Sequence, residues 1–185
     1  MGLVEVPAMT FLIADGKGDP HTSTDYSDAL ERFYSIAYAL KLMSRTTLGR
    51  DYVVPPLEGL WSADDPAIFG EADKGKYQWT LMIKQPDWTT QTMFLRAMAS
   101  AKTKPHLRAL SKVRFERYNE GTSLQLLHLG SYDDEAPKLK HLHNEYLPEH
   151  NLTFNGRNHE IYLSDPRKTA TAKLKTILRQ PIKQV

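Results

Sequence analysis

Residues 159–166, His-Glu-Ile-Tyr-Leu-Ser-Asp-Pro, place a carboxylate and a phenol two positions apart in an otherwise apolar run. Strand alternation puts Glu160 and Tyr162 on one face, with His159, Ile161 and Leu163 on the other. A glutamate in a β-branched and aromatic segment runs against strand propensity and is costly to bury without a partner. Tyr132, just past the end of another strand, is expected to come near them. If the three converge, they supply a carboxylate able to act as general base or cation partner, with phenols that orient or protonate a leaving oxygen. The ordinary alternative is a solvent-facing glutamate on a half-exposed sheet beside core tyrosines.

Trp61 and Trp79 fall in two adjacent predicted strands. Trp79 shares its face with Tyr77, Leu81 and Ile83. Tryptophans so placed either wall a cage for a flat or cationic ligand or fill the core as large apolar residues. The seven histidines show no metal-ligand spacing: His141 and His143 point to different sides of a helix, and His128 and His159 lack an obvious carboxylate pair. No metal or cofactor is expected. Asp15-Gly16-Lys17-Gly18-Asp19 lacks the ending of a phosphate loop, and its carboxylates would repel phosphate. Gly-x-Ser-x-Gly is absent.

The elements that must position these groups read in two rounds. Thr10–Ala14 is an apolar strand running into a turn-rich segment. A helix over Thr24–Ser44 follows, with Ser23, Thr24 and Asp25 as available caps. Leu57–Trp61 and Tyr77–Ile83 complete strand, helix, strand, strand. After a helical bridge at Thr90–Ala101 and a short helix near His106, the order recurs. Strands at Val113–Tyr118 and Leu124–Leu129 lead to the acidic turn 130–135, a helix over Pro137–Tyr146 and a strand over Asn158–Leu163. The spacing of Leu174, Ile177 and Leu178 predicts a last short helix over Ala170–Arg179, stopped by Pro181. The expectation is a single α+β domain over 1–185: duplicated strand-helix-strand-strand modules at about 1–88 and 106–185, a helical bridge at 89–105, and a central ligand cleft on a pseudo-twofold axis.

Composition narrows the classes further. The 185 residues are 41% hydrophobic, with 24 basic against 22 acidic side chains and a net charge of +2. That balance implies neither nucleic acid nor membrane as partner. With no cysteine, disulfides and thiolate catalysis are excluded. There is no basic-then-apolar leader and no run near the ~18 apolar residues a membrane span needs, so the expected location is cytoplasmic.

The segments 127–135 (Leu-His-Leu-Gly-Ser-Tyr-Asp-Asp-Glu), 159–166 and 174–181 (Leu-Lys-Thr-Ile-Leu-Arg-Gln-Pro), with Phe-Leu-Ile-Ala-Asp-Gly-Lys-Gly-Asp-Pro at 11–20, resemble the GyrI-like small-molecule-binding family. The resemblance implies the duplicated fold with its cleft and a cleft-facing glutamate at Glu160. Relatives in that family include effector-binding domains of multidrug-responsive activators and a DNA gyrase inhibitor. The endings at 164–166 and 174–181 look most like a branch of cyclopropanoid cyclopropyl hydrolases, which open the strained ring of DNA-alkylating natural products of the yatakemycin class. Carried over by motif, Glu160 and Tyr132 are the catalytic pair, and Trp61, Trp79 and Tyr162 line an aromatic cage for a hydrophobic or cationic ligand. The readings left open are a detoxifying hydrolase, a pure binding module and an interaction protein.

Overall fold

A computed structural model describes residues 1–20, 22–62, 74–101 and 113–185. The short helix expected near His106 lies outside the described residues. The elements are β1 (Gly2–Val6), β2 (Met9–Lys17), α1 (Thr24–Leu48), β3 (Leu57–Ser62), β4 (Gln78–Gln85), α2 (Gln91–Ala101), β5 (Arg114–Tyr118) and β6 (Gly121–Leu129). A helical run follows, made of a 3-10 turn (Tyr132–Glu135), α3 (Ala136–His141), a π-helical turn (Leu142–Tyr146) and α4 (Leu147–Glu149). The chain ends with β7 (Leu152–Phe154), β8 (Asn158–Tyr162) and β9 (Lys175–Gln184).

Every strand pairing is antiparallel, in the spatial order β1-β6-β9-β8-β3-β4-β2-β5, with β7 beside the end of β9. The order is symmetric about the β8/β3 junction: β9, β6 and β1 on one side answer β4, β2 and β5 on the other. This is the expected duplication, with its pseudo-twofold axis passing between Gly59 and Glu160, which face each other across the junction. The register that pairs Val6 with Gly121 continues in step to pair Met9 with Tyr118. β1–β2 and β5–β6 are therefore two long strands, each interrupted at its middle, lying side by side.

Alternation sorts the sheet's residues onto two faces. On one, Leu12, Ala14, Trp79, Leu81 and Ile83 meet Phe33, Ile36, Ala37 and Leu40 of α1 and Phe94 and Ala97 of α2. Leu124 and Ile182 of the same face meet Leu142 and Leu147 of the second helical run. Both sets of helices thus cover one face, as the pattern of elements implies, and the floor between them is β3 and β8. The opposite face holds a small apolar cluster of Phe11, Ile13, Leu60 and Met82. α1 starts where Ser23 caps it, its hydroxyl accepting from the Tyr26 N–H at 3.3 Å.

Two expectations are corrected. The segment 170–179 is not a helix: Thr171–Lys173 forms one 3-10 turn and Lys175–Gln184 is the long strand β9. Its Thr176, Leu178 and Gln180 face the helices while Ile177 and Arg179 face away. The helix-facing side buries the polar Thr176 and Gln180 while the apolar Ile177 lies on the other side, so the apolar residues do not alternate and Leu174, Ile177 and Leu178 mimic helical spacing. Pro181 lies within this strand, beyond the last pairing with β8 at His159–Arg179. The second correction is that β2 does not end at Ala14 but continues through Asp15 and Gly16 to Lys17, pairing Gly16 with Trp79. Among the described residues, no helix is long and apolar enough to cross a membrane.

Candidate functional site

The floor and walls between the two helical runs enclose an open cleft of about 2290 Å³. Trp61, Tyr132, Glu160 and Tyr162 all line it. Glu160 and Tyr162 are neighbours on the helix-covered face of β8, as strand alternation requires, and the Tyr162 hydroxyl donates to Glu160 Oε2 at 2.8 Å. Asn158 Nδ2, two residues earlier on the same face, donates to Glu160 Oε1 at 3.2 Å. From β3, Trp61 Nε1 donates to the Tyr162 hydroxyl oxygen at 2.9 Å. Indole, phenol and carboxylate thus form one relay across the pseudo-twofold junction.

Gly59 makes room for that relay. A Cβ at this position would lie 2.8 Å from Trp61 Nε1 and 3.1 Å from the Tyr162 hydroxyl. Such approaches are closer than a side chain tolerates, so glycine here is a steric requirement.

Aromatic rings surround the relay. Tyr132 meets Tyr162 edge-on with centroids 5.5 Å apart. Tyr26 of α1 stacks over Trp61 at 6.4 Å, and Tyr77 meets Trp61 edge-on at 6.2 Å. Both Tyr26 and Tyr77 line the cleft. Trp79 does not. It pairs with Gly16 and lies flat over it, so that a Cβ on Gly16 would fall 2.1 Å from the indole. Only 2% exposed, Trp79 meets Tyr26 edge-on at 5.3 Å from behind. It backs the aromatic wall without forming its surface.

Electrostatics make Glu160 unusual. Burial pushes its carboxyl up to about 7, against the lowering pull of the Tyr162 hydroxyl, the His159 charge and the Asn158 amide. A second carboxyl, Glu135, also lines the cleft and is 3% exposed. Burial first, then the Glu160 charge, push Glu135 up to about 9, and Lys138 and Thr176 only partly oppose this. The two are repelling carboxyls, so the pair resists carrying two negative charges at neutral pH. Tyr26, Tyr132 and Tyr162 are all raised above the ordinary phenol value, chiefly by burial, and stay protonated as donors.

Sequence reasoning missed Glu135. The signal was present: it stands three residues after Tyr132, one helical turn on. His159 also departs from expectation, because it does have carboxylates. On the far face of β8, fully buried, its Nδ1 lies 2.8 Å from Glu120 Oε1 and its Nε2 3.0 Å from Glu58 Oε2. The first contact is a well-directed hydrogen bond; the second is an ion-pair contact without hydrogen-bond alignment. Arg179 Nη1 donates to Glu120 Oε2 at 2.8 Å. With both carboxylates ionised, an imidazolium and a guanidinium balance them. Among the described residues, no group of three or more histidine, aspartate or glutamate side chains is placed to hold a metal ion.

Residues 2–183 match the GyrI-like small molecule binding domain. The chain belongs to the GyrI-like family. A crystal structure of an uncharacterized conserved protein from Listeria innocua is 35% identical with a TM-score of 0.89, the match covering 98% of this chain and 91% of that one. A crystal structure described as a hydrolase from Listeria innocua is 34% identical with a TM-score of 0.83 over the same shares. The C-terminal domain of EcmrR, 12% identical with a TM-score of 0.60 over 100% of this chain and 97% of that one, shares the fold. No curated protein matches the sequence. A GyrI-like domain is a small-molecule-binding domain.

Proposed function

We propose that the cleft binds hydrophobic polycyclic or cationic small molecules and that the protein hydrolyses cyclopropane-containing DNA-alkylating xenobiotics by adding water to the strained ring. The observation that carries this reading is Glu160, a carboxylate hydrogen-bonded at both oxygens on an aromatic wall and poised at about 7. A base titrating near the working pH combines availability with proton affinity. Relatives described as hydrolases at 34% and 35% identity support the reaction class.

The chemistry asks little of the protein. In such a substrate the cyclopropane is conjugated to a carbonyl, and its outer carbon becomes electrophilic as that oxygen gains a hydrogen bond. Glu160 takes a proton from water as the new carbon–oxygen bond forms. The cyclopropane carbon–carbon bond breaks, its electron pair moves through the ring system, and the carbonyl oxygen becomes a phenolate. Tyr132 donates a hydrogen bond to that oxygen. Trp61 and Tyr162, joined by Tyr26 and Tyr77, hold the flat ligand and exclude bulk water, with Trp79 as their support.

A second reading is non-catalytic binding or sequestration of diverse drugs. The cleft size favours it, because about 2290 Å³ exceeds the roughly 300–1,000 Å³ usual for a drug-sized ligand. Incubating the protein with a yatakemycin-type cyclopropane and following the mass of the product separates the two, with Glu160→Gln beside it. Water addition by the parent protein, reduced about 10²–10⁴-fold in the variant, is the expected result. Binding without a mass gain in both proteins overturns hydrolysis and leaves sequestration.

A further inference from the structure

Glu160 and Glu135 line one cleft but are differently equipped. Each Glu160 oxygen accepts a hydrogen bond, from Tyr162 and from Asn158. That is the environment of an ionised carboxylate. Glu135 Oε1 is fully buried and no donor reaches it. Thr176 stands beside Glu135, yet its hydroxyl has no well-formed hydrogen bond. Lys138, whose charge lowers Glu135, directs its ammonium to His128, with Nζ 3.0 Å from Nδ1. A negative charge on Glu135 would sit buried, with no donor to Oε1 and in the field of a second carboxylate lining the same cleft, which is among the costlier arrangements a protein can hold.

We propose that Glu135 is the second functional carboxyl of this cleft, sharing a single proton with Glu160 and serving as the neutral, proton-donating half of the pair. The surroundings agree. Asp133 on the same helical turn adds negative charge, and the phenols of Tyr26, Tyr132 and Tyr162 bring no positive charge. Lys138 lowers Glu135 but also donates to His128, and His159 lowers Glu160 from the far face of β8. Lys140, His143, Arg157, Arg167 and Lys168 also line the cleft, and none donates to Glu135 Oε1.

Resting on the hydrolase reading, this pair closes the proton balance of ring opening. Glu160 accepts the proton of the attacking water, and the new phenolate oxygen takes the proton of Glu135 while Tyr132 orients it. The pair ends as it began, with one proton and one charge, and transfer from Glu160 back to Glu135 resets it. No outside acid or base is consumed. For a ligand that is a lipophilic cation, the same pair predicts that binding expels the Glu135 proton.

The test needs no ligand. Carboxyl-selective ¹³C NMR titration of glutamate-labelled protein, Glu135→Gln and Glu160→Gln follows each midpoint. Both carboxyls are expected to titrate above the ordinary glutamate range. Glu160→Gln should lower the Glu135 midpoint by about one pH unit or more, whereas Glu135→Gln, which replaces a neutral group by a neutral one, should leave the Glu160 midpoint in place. Ordinary midpoints for both in the parent protein, or a Glu135 midpoint indifferent to Glu160→Gln, overturn the proposal. Glutamine is a neutral isostere of protonated Glu135, so the fold is retained, and Glu160→Gln supplies the reciprocal reading. In the ring-opening assay, Glu135→Gln should lower kcat and remove the alkaline limb of the pH profile, which reports the proton-donating carboxyl. An unchanged profile overturns the catalytic role. Absence of turnover in the parent protein overturns the hydrolase reading alone, and the titration still decides proton sharing.

Discussion

His159 and Glu160 are consecutive residues of β8 that face opposite sides of the sheet. The first is clamped between Glu58 and Glu120, and the second is open to an aromatic cleft. Each side chain influences the other through the strand, since the His159 charge lowers Glu160. A buried ion cluster thus sits directly behind the cleft-lining carboxylate.

Replacing His159 by glutamine should destabilise the protein by about 3–5 kcal/mol, because two buried carboxylates lose the imidazolium between them and Arg179 is placed on Glu120. The contribution depends on pH with a definite sign. Burial opposes the charge on His159, but the hydrogen bond to Glu120 and the charges of Glu120 and Glu58 outweigh it and raise His159 above its ordinary value. Its stabilisation is therefore fully present below the unfolded value of about 6.5 and is lost as pH rises through the higher folded value. Denaturant midpoints measured from pH 5 to 9 should show the gap between parent and His159→Gln narrowing toward alkaline pH. A gap that widens there contradicts an imidazolium at this position.

Tyr162→Phe removes the donor that lowers Glu160 and the acceptor for the Trp61 indole. Glu160 should then titrate higher, and any activity requiring its carboxylate should move to more alkaline pH. The pH profile of ring opening, or the carboxyl titration itself, reads the direction. A shift toward acid would remove the hydroxyl from the relay.

Gly59→Ala drives a methyl group against the Trp61 indole nitrogen and the Tyr162 hydroxyl. Overpacking of this kind costs about 1–3 kcal/mol, and separating the two groups should weaken ligand binding by about tenfold. Thermal melting and tryptophan fluorescence titration measure the two losses. Native affinity in a folded variant would show that the wall adjusts without the relay.

The two tryptophans of the predicted cage should behave differently. Trp61→Ala opens the cleft wall and is expected to reduce affinity more than stability. Trp79→Ala empties a core site and should cost about 3–5 kcal/mol of stability. Comparing binding and melting of both variants under matched conditions separates wall from support. Equal affinity losses with equal stability losses would return Trp79 to the cage.

Much of the architecture was legible because the first half obeys simple periodicities: β2, α1 and β4 each expose one pattern. Glu160 and Tyr162 were legible for the same reason, since alternation alone puts them on one face. β9 was not, because its helix-facing side buries the polar Thr176 and Gln180 while the apolar Ile177 lies on the other side. The carboxylates of His159 were hidden by distance along the chain. Glu58 comes from β3 and Glu120 from the interruption between β5 and β6, and only the fold brings them to one imidazole. Trp79 shares its face with Leu81 and Ile83, as predicted, but the depth of a residue within that face depends on Gly16 and Tyr26, which alternation does not encode.

The unbroken register from Val6–Gly121 to Met9–Tyr118 has a consequence for how the chain can be divided. β1 precedes the first repeat but forms the outer strand of the second, and β5 precedes the second but forms the outer strand of the first. Each repeat thus borrows an outer strand from its sibling, in the manner of a domain swap made permanent within one polypeptide. Cut between α2 and β5, the protein should yield two fragments that are insoluble apart and reassemble when co-expressed, each completing the other's sheet.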